Sequence, residues 1–203
     1  MIKNLIFDLA GVLLNLNVER DTLALKSVGL PDWMGCMANP DLMRPLCLYL
    51  NGLIGQSEFL EMIRPFCHPD ATDAEILYSM DAVLDDIPIS RLQRLVELRK
   101  RYRVYLLSNL YDTAWEYTRQ EFARQGFTFE QCFDQTFFSQ HLHLAKPDPK
   151  IYQTVFDATG IVPEETLYFD DTRENVEAGN KLGLHSVLVP MNHIETLAEF
   201  QQL

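Results

Sequence analysis

Polar residues interrupt the apolar pattern of this 203-residue chain at four places that could share one chemical site. The four groups, each just after a predicted β-strand, are Asp8, Ser108-Asn109, Lys146 and Asp170-Asp171. An ionised carboxylate is too costly to bury without a partner, so we expect Asp8 at the end of its strand and not in the middle. The C-terminal ends of parallel strands meet at one edge of a sheet. These groups can therefore converge although they are far apart in the sequence.

Three of these side chains are carboxylates, which repel one another and require positive charge nearby. Lys146 supplies one positive charge, and a divalent cation would supply two. Oxygen ligands without a Cys or His cluster favour Mg²⁺ over Zn²⁺, and Mg²⁺ usually binds one or two carboxylates, water and a substrate phosphate. The sequence therefore predicts a magnesium site built for a phosphoryl group. Lys146 and the Ser108 hydroxyl would hold phosphoryl oxygens, and Asp8 could attack phosphorus to form an aspartyl phosphate.

Strands that alternate with helical patterns predict an α/β fold with a parallel sheet and right-handed crossovers. The apolar runs predict a first strand that begins near Asn4 and has Asp8 at its C-terminal end, and further strands at residues 102–107, 135–139, 166–169 and 186–190. Residues from about 18 to 84 show only helical patterns, including a capping-box sequence that begins at Thr72. We therefore expect a core of residues 1–15 and 85–203 and an all-helical insertion of residues 16–84.

Length and composition indicate one globular domain with a sizeable insertion, since 47% of the residues are hydrophobic. The net charge of −12 opposes a nucleic acid or an anionic membrane as partner, because both require a basic surface. No apolar run is long enough to cross a membrane and no leader precedes the first strand, so we expect a cytoplasmic protein.

The cysteines lack the close pairing of a zinc site and are expected to be free thiols: Cys36, Cys47, Cys67 and Cys132.

The four groups lie in segments that resemble, in order and at the family's spacing, the four sequence motifs of the haloacid dehalogenase superfamily. The matching segments are Phe7–Val12, Leu106–Asn109, Lys146–Asp148 and Phe169–Asn175. The resemblance implies a three-layer Rossmann-like core in which the helical insertion forms a mobile cap over the site. It also implies a Mg²⁺ cofactor and a phosphatase-type hydrolase for a small phosphorylated metabolite, most similar to the branch of sugar phosphatases and epoxide-hydrolase N-terminal domains.

The same resemblance implies a role for each motif residue. The catalytic residues would be Asp8, as nucleophile, Ser108 and Lys146. The substrate-binding residues would be Ser108, Asn109 and Lys146. The magnesium ligands would be Asp8, the backbone carbonyl of Ala10, Asp171 and the adjacent Asp170, with Asn175 supporting the acidic pair.

Ala10 departs from the family pattern, because phosphatases of this superfamily usually carry a second aspartate two residues after the nucleophile. That aspartate acts as general acid and base, and loss of such a group costs on the order of 10² to 10⁴ in rate. The backbone carbonyl of residue 10 remains available to a metal whatever the side chain is. We therefore expect a slow or substrate-assisted phosphatase, and the alternative is a pseudoenzyme that binds a phosphate ligand as a regulatory protein.

Three further interpretations compete with these. A phosphonatase resembles this chain in having alanine at this position but needs a cap lysine, and the insertion offers only Lys26, which we expect to be solvated. A dehalogenase normally has a bulky aromatic residue where Ala10 stands. An interaction protein could use the apolar cap segment that contains Trp33, Met34, Met37 and Met43. The expected partner is a small phosphorylated metabolite, and the expected assembly is a monomer or weak homodimer.

Overall fold

A computed structural model describes all residues from 1 to 203, and its centre is a five-stranded parallel sheet of order β3-β2-β1-β4-β5. The strands are β1 (Asn4–Phe7), β2 (Arg103–Ser108), β3 (Gln135–Phe138), β4 (Thr166–Asp170) and β5 (His185–Leu188). Every neighbouring pair is parallel, and Phe7 at the end of β1 lies beside Leu106 of β2 and Phe169 of β4. Because these three central strands end close together, their following residues share one edge of the sheet. The predicted fold class, an α/β Rossmann-like parallel sheet, is confirmed.

Twelve helices surround the sheet or lie in the insertion. They are α1 (Val18–Ser27), α2 (Trp33–Met37), α3 (Pro40–Leu50), α4 (Gln56–Ile63), α5 (Asp73–Asp81), α6 (Ile89–Leu98), α7 (Asp112–Arg124), α8 (Phe129–Cys132), α9 (Ser139–Leu142), α10 (Pro149–Thr159), α11 (Arg173–Lys181) and α12 (Ala198–Gln201). Short 3₁₀ turns occupy Arg64–Phe66, Pro163–Glu165 and Ile194–Thr196. None of the helices is long and apolar enough to cross a membrane, and all four cysteines are free, as predicted.

Two strand ends differ from the sequence prediction in a way that matters for the site. Ser108 is the last residue of β2 and Asp170 is the last residue of β4, whereas the pattern predicted both just beyond their strands. Both side chains are almost completely buried. A carboxylate inside a strand requires donors around it, and the structure supplies them to Asp170 as described below.

The insertion between β1 and α6 is all-helical, as its pattern predicted, and contains α1 to α5. Its two connections run side by side, because Leu16 and Leu84 form an antiparallel bridge. The Arg20 guanidinium at the start of α1 donates hydrogen bonds to the carbonyls of Ala82 and Leu84 and so fastens the two connections together. The division into a core and a cap of residues 16–84 stays a prediction.

One hydrophobic core runs from the sheet into the insertion. Buried side chains of the strands, such as Leu5 and Phe7, belong to the same contiguous cluster as Leu25, Phe59 and Ile63 of the insertion. A smaller cluster on the opposite face of the sheet packs α10 against the strands. The insertion therefore rests on the core through apolar contact.

Candidate active site

Asp8 is the first residue after β1, and its backbone is tied to the neighbouring strand. The Asp8 N–H donates to the carbonyl oxygen of Phe169 at 2.9 Å, which continues the ladder between β1 and β4. Its carboxylate oxygen Oδ1 accepts a hydrogen bond from the Leu9 N–H at 2.7 Å and lies 2.9 Å from Lys146 Nζ. The second oxygen, Oδ2, accepts no hydrogen bond from the protein, and the residue is only 7% exposed. One oxygen of a fixed carboxylate is thus free for chemistry.

Lys146 is a buried ammonium held between carboxylates. Its Nζ contacts Asp8 Oδ1 at 2.9 Å, Asp170 Oδ2 at 2.7 Å and the Leu107 carbonyl oxygen at 3.0 Å. An ammonium group has three hydrogens, so these three acceptors use all of them. Burial alone would lower the pKa of Lys146, but the attraction of Asp170 and Asp8 outweighs burial and raises this pKa. Direct contact between Lys146 and a phosphoryl group stays a prediction.

Asp170 is completely buried and surrounded by donors. Lys146 donates to Oδ2, the Thr172 N–H donates to Oδ1 at 2.8 Å, and Asn175 Nδ2 lies within 3.2 Å of both oxygens. The Tyr168 hydroxyl adds a further hydrogen bond to Oδ2. These donors satisfy the carboxylate and leave Asp170 little capacity for another partner.

Asp171 is more exposed than Asp170 and packs on the turn that follows Asp8. A methyl group added to Gly11 would lie 2.2 Å from Asp171 Oδ2, and Gly11 has a φ of +76°. Only glycine accommodates both this backbone conformation and this close contact. Asp171 is therefore the carboxylate of the acidic pair that faces the open part of the site.

The three aspartates form the one cluster of metal-ligating side chains in the chain, with ligand oxygens within 4.8 Å of one another. Burial chiefly raises the pKa of Asp8 to about 7, where Asp170 and Asp171 add to the effect and Lys146 opposes it. Burial and the charge of Asp170 raise the pKa of Asp171 to about 6. The side chains that could bind a metal ion offer only oxygen atoms. Because three carboxylates face one lysine, the site has an excess of negative charge. These residues fit a Mg²⁺ ion.

Ser108 and Asn109 have different surroundings although they are adjacent. The Ser108 hydroxyl is buried and has no hydrogen-bond partner, which is costly unless a ligand supplies one. The Asn109 side chain instead bonds both backbone groups of Lys146, with Nδ2 donating to the carbonyl and Oδ1 accepting from the N–H, each at 2.9 Å. In this structure Asn109 therefore positions the Lys146 loop, and its predicted contact with substrate stays a prediction.

A cavity of about 560 Å³ opens above these groups. The lining at the sheet edge includes Asp8, Ala10, Ser108, Lys146 and Asp171. Most of the remaining lining is apolar and comes from the insertion, including Leu16, Leu25, Trp33, Met43, Leu46 and Phe59. This volume is within the range of small-molecule sites. The cavity lies between the insertion and the edge of the sheet that carries Asp8, Ser108 and Asp171.

Comparison with known proteins agrees with this geometry. The family described as haloacid dehalogenase-like hydrolase matches residues 2–183. This chain belongs to the haloacid dehalogenase-like hydrolases. The resemblance of the four motifs is thus confirmed at the level of the family.

Two relatives of this hydrolase family come from Bacteroides thetaiotaomicron. A curated D-ribitol-5-phosphate phosphatase is 27% identical over 191 residues, which cover 92% of this chain and 91% of that protein. A crystal structure of a haloacid dehalogenase family enzyme is 33% identical, covers 95% of each chain and has a TM-score of 0.86. The wild-type form of that enzyme has also been solved in complex with magnesium and inorganic phosphate. That structure is 33% identical, covers 95% of this chain and 96% of its own, and has a TM-score of 0.84.

A more distant hydrolase shares the fold alone. The L-2-haloacid dehalogenase of Xanthobacter autotrophicus is 20% identical, covers 93% of this chain and 78% of its own, and has a TM-score of 0.61. The dehalogenase interpretation predicts a bulky aromatic residue at position 10. In this chain that position is a half-buried alanine that lines the cavity. No aromatic side chain stands there.

The side chains behind the other interpretations lie outside the cluster of aspartates. Lys26 is exposed, as predicted, and does not line the cavity. In the apolar segment of the insertion, Trp33 and Met43 line the cavity, whereas Met34 and Met37 are 73% and 53% exposed.

Sequence reasoning missed two contributors to the site. Tyr168 lies two residues before Asp170 on the same face of β4 and donates to its carboxylate. Alternation along the strand could have indicated this contact. Thr172 contributes through its backbone N–H, a contact that no side-chain pattern reveals.

Proposed function

We propose that this haloacid dehalogenase-like hydrolase is a magnesium-dependent phosphatase that acts on a small phosphorylated metabolite through an aspartyl phosphate on Asp8. The observation that carries the proposal is the Asp8 carboxylate, fixed by Lys146 with one oxygen free, beside an unpartnered Ser108 hydroxyl at the bottom of a cavity. Two relatives support the proposal. One relative is a phosphatase of a sugar-alcohol phosphate, and the structure of another was solved in complex with magnesium and inorganic phosphate.

The residues that would hold Mg²⁺ are Asp8, Asp171 and the backbone carbonyl of Ala10, with Asp170 beside them. A bound ion would neutralise charge on the phosphoryl group and on the facing carboxylates. The charge of Lys146 favours the ionised form of Asp8 against the effect of burial, and the Ser108 hydroxyl donates a hydrogen bond to a phosphoryl oxygen.

The first chemical step forms one bond and breaks another at phosphorus. A carboxylate oxygen of Asp8 attacks, and the bond between phosphorus and the ester oxygen breaks with its electron pair on the leaving group. In the second step, water attacks phosphorus, the carboxylate of Asp8 leaves, and inorganic phosphate and a proton are released. Asp8 is then ready for the next substrate molecule.

Ala10 limits both steps, because its methyl group cannot transfer a proton. The leaving group must take its proton from water, and the attacking water must lose its proton without a positioned base. Each deficit lowers the rate by a factor on the order of 10² to 10⁴. We therefore infer a slow or substrate-assisted phosphatase that prefers esters with good leaving groups.

The insertion of residues 16–84 acts as the cap that encloses the leaving group. Its side chains supply most of the apolar lining, and the cavity volume of about 560 Å³ favours a small molecule over a polymer. A cytoplasmic location and a monomeric or weakly dimeric state stay predictions.

One alternative has a specific observation in its favour. Ala10 removes the acid and base but leaves the aspartates, Lys146 and the Ser108 hydroxyl intact. Such a site would bind a phosphate ligand without turnover. The protein would then be a pseudoenzyme with a regulatory role.

The test measures phosphate release with Mg²⁺ from p-nitrophenyl phosphate and a panel of sugar phosphates. We expect release by wild type and a loss of about 10³-fold or more in Asp8→Asn, because the nucleophile is gone. Asp70→Asn, at an exposed carboxylate of the insertion, is the matched control and should behave as wild type. Equal release by wild type and Asp8→Asn would contradict the proposal. No release by wild type, combined with stabilisation by inorganic phosphate, would favour the pseudoenzyme.

A further inference from the structure

A fourth carboxylate faces the cavity, and the mechanism does not use it. Asp21 lies in the first turns of α1, is only 5% exposed and lines the same cavity as Asp8, Ser108 and Lys146. Its side chain makes no hydrogen bond and no ion pair within the chain. The adjacent Arg20 points away, toward the carbonyls of the cap connections. Asp21 is therefore a buried acceptor without a partner.

The surroundings of Asp21 give little help to a negative charge. Most of the insertion residues that line the cavity with Asp21 are apolar, including Leu16, Val18, Leu25, Leu30, Trp33 and Cys36. The Tyr111 hydroxyl, also in the lining, donates to the Met80 carbonyl oxygen and not to Asp21. Burial raises the pKa of Asp21 to about 6. The N-terminal half of a helix favours acidic residues modestly, but that effect supplies no hydrogen-bond donor to the carboxylate. An unpaired carboxylate at this position costs stability, so a ligand that pairs with it would gain affinity.

Neither of the two cationic side chains that line the cavity forms an ion pair with Asp21. The Lys146 ammonium group uses its three hydrogens for other acceptors, and Arg173 forms no ion pair with Asp21. The cavity also contains the carboxylates of Asp8, Asp171 and Glu174. A ligand can therefore improve the charge balance near Asp21 by bringing its own positive charge.

The remaining lining restricts the body of the ligand. A leaving group with many hydroxyls would leave most of them unpaired against apolar side chains, which is unfavourable. An apolar body with one donor at its end matches both the lining and the single acceptor. A protonated nitrogen matches better than a hydroxyl, because a charge-assisted hydrogen bond is stronger than a neutral one.

We propose that Asp21 is a specificity-determining residue that selects phosphomonoesters whose leaving group is largely apolar and ends in a protonated amine. This inference rests on the proposed function, because the phosphoryl group is taken to lie at Asp8 and Ser108. The leaving group then extends into the cap, and its ammonium group donates to the Asp21 carboxylate.

The experiment compares three matched series of esters in the presence of Mg²⁺. These are ω-aminoalkyl, ω-hydroxyalkyl and n-alkyl phosphates with three to eight carbons, and the measured quantity is kcat/KM. At the best chain length, wild type should prefer the amine over the alkyl ester by about tenfold or more, the value of one charge-assisted hydrogen bond. Equal rates for the three series, or a preference for the hydroxyl series, would overturn the inference.

Variants identify the carboxylate responsible. Asp21→Asn should reduce the preference for the amine to less than about threefold, since the neutral amide loses the charge. Glu19→Gln removes an exposed carboxylate from the same helix and should retain the full preference. A preference that survives in Asp21→Asn, with melting temperatures showing that both variants are folded, would overturn the assignment.

A binding measurement separates this inference from the proposed function. Calorimetry with Asp8→Asn, Mg²⁺ and the same esters measures affinity without turnover, and Asp8→Asn/Asp21→Asn is the comparison. If wild type releases no phosphate but the amine series still binds more tightly through Asp21, the proposed function fails and the selectivity assignment stands. If wild type hydrolyses all three series equally well, the phosphatase stands and the assignment of Asp21 fails.

Discussion

Ala10 lies two residues after Asp8, the proposed nucleophile, and lines the cavity. Its methyl group leaves the surrounding charges unchanged, so the site keeps its aspartates, its lysine and its free hydroxyl. At the scale of single residues, the proposed function therefore separates binding of a phosphoryl group from transfer of a proton. In that proposal the first depends on Asp8, Ser108 and Lys146, and the second depends on position 10.

Restoring a carboxylate at position 10 should accelerate turnover. Ala10→Asp is expected to raise kcat by about 10²-fold for alkyl phosphates, whose leaving groups need a proton, and also to raise kcat for p-nitrophenyl phosphate, because hydrolysis of the aspartyl phosphate needs a base with either substrate. Ala10→Asn is the matched control, because the amide has similar size and cannot transfer a proton. Steady-state kinetics with both substrates checks this. Equal rates in Ala10→Asp and Ala10→Asn would mean that proton transfer does not limit the enzyme.

Neutralising Asp21 should stabilise the folded protein. Burial raises the folded-state pKa of Asp21 to about 6 from the ordinary 3.8, so ionisation of this group destabilises the fold at neutral pH and above. Asp21→Asn should increase the free energy of unfolding at pH 8 by on the order of 1 kcal/mol, a reduced value because the carboxylate faces a cavity that admits water.

The stability difference between wild type and Asp21→Asn should depend on pH for the same reason. The destabilisation caused by ionised Asp21 is complete above the folded-state pKa of about 6, decreases as pH falls, and vanishes below the ordinary pKa of 3.8. Urea unfolding of wild type and Asp21→Asn between pH 8 and pH 4 measures it. A variant that is less stable than wild type at pH 8 would contradict this prediction.

At the scale of elements, the turn between β1 and the insertion brings Asp8 to the acidic pair. Asp8 follows β1 directly, and Gly11 in the same turn contacts the Asp171 carboxylate. Three neighbouring parallel strands end at this edge, which explains how distant motifs meet. The Asn109 amide, bonded to the backbone of Lys146, connects the end of β2 to the lysine loop.

Replacing Gly11 should therefore disturb the proposed metal site. Gly11→Ala is expected to weaken Mg²⁺ binding by about tenfold or more, because the new methyl group would overlap the Asp171 carboxylate and displace it from its position beside Asp8. Gly126→Ala is the matched control: its φ of +79° resembles the +76° of Gly11, and no atom lies within 4 Å of an added methyl group. Calorimetric titration with Mg²⁺ measures both variants, and equal affinities would contradict the prediction.

The sequence predicted three of the four polar groups because they come at the end of an apolar strand pattern, whereas Lys146 lies in a loop beyond α9. Strand alternation and strand termini follow from local residue order, so Asp8, Ser108 and the acidic pair could be placed at one edge. Local order does not determine which of two adjacent carboxylates faces inward. The complete burial of Asp170 and the greater exposure of Asp171 follow from packing between distant elements.

Asp21 was not predicted for a related reason. It is one of two acidic residues near the start of α1, and a helical pattern alone does not specify that its face would cover a cavity above the sheet. Asn109 was assigned to substrate by its position, whereas its hydrogen bonds in the structure go to Lys146. Both features depend on contacts between segments that are remote in the sequence.

At the scale of the whole molecule, the insertion covers the catalytic edge and is fastened to the core on two sides. The Leu16 and Leu84 connections form one side. On the other, the Ser139 hydroxyl donates to the Leu50 carbonyl, and His143 Nδ1 lies 3.1 Å from the Asn51 carbonyl oxygen. The cavity is therefore enclosed by both units, and an apolar lining faces a charged floor.

This architecture predicts an imbalance between the two chemical steps. With p-nitrophenyl phosphate, the leaving group is stable as an anion, so phosphorylation of Asp8 does not need the missing acid. Hydrolysis of the aspartyl phosphate still needs the missing base, so it should be the slower step. Asp8 should therefore become phosphorylated faster than it is regenerated.

Rapid-mixing kinetics with wild type, Mg²⁺ and p-nitrophenyl phosphate measures this imbalance. We expect a burst of about one p-nitrophenolate per protein molecule before a slow steady state, an acid-stable phosphate on Asp8 after quenching, and no burst in Ala10→Asp. Asp8→Asn should give neither burst nor label. Steady release without a burst, at the same rate in wild type and Asp8→Asn, would contradict an aspartyl phosphate at this site.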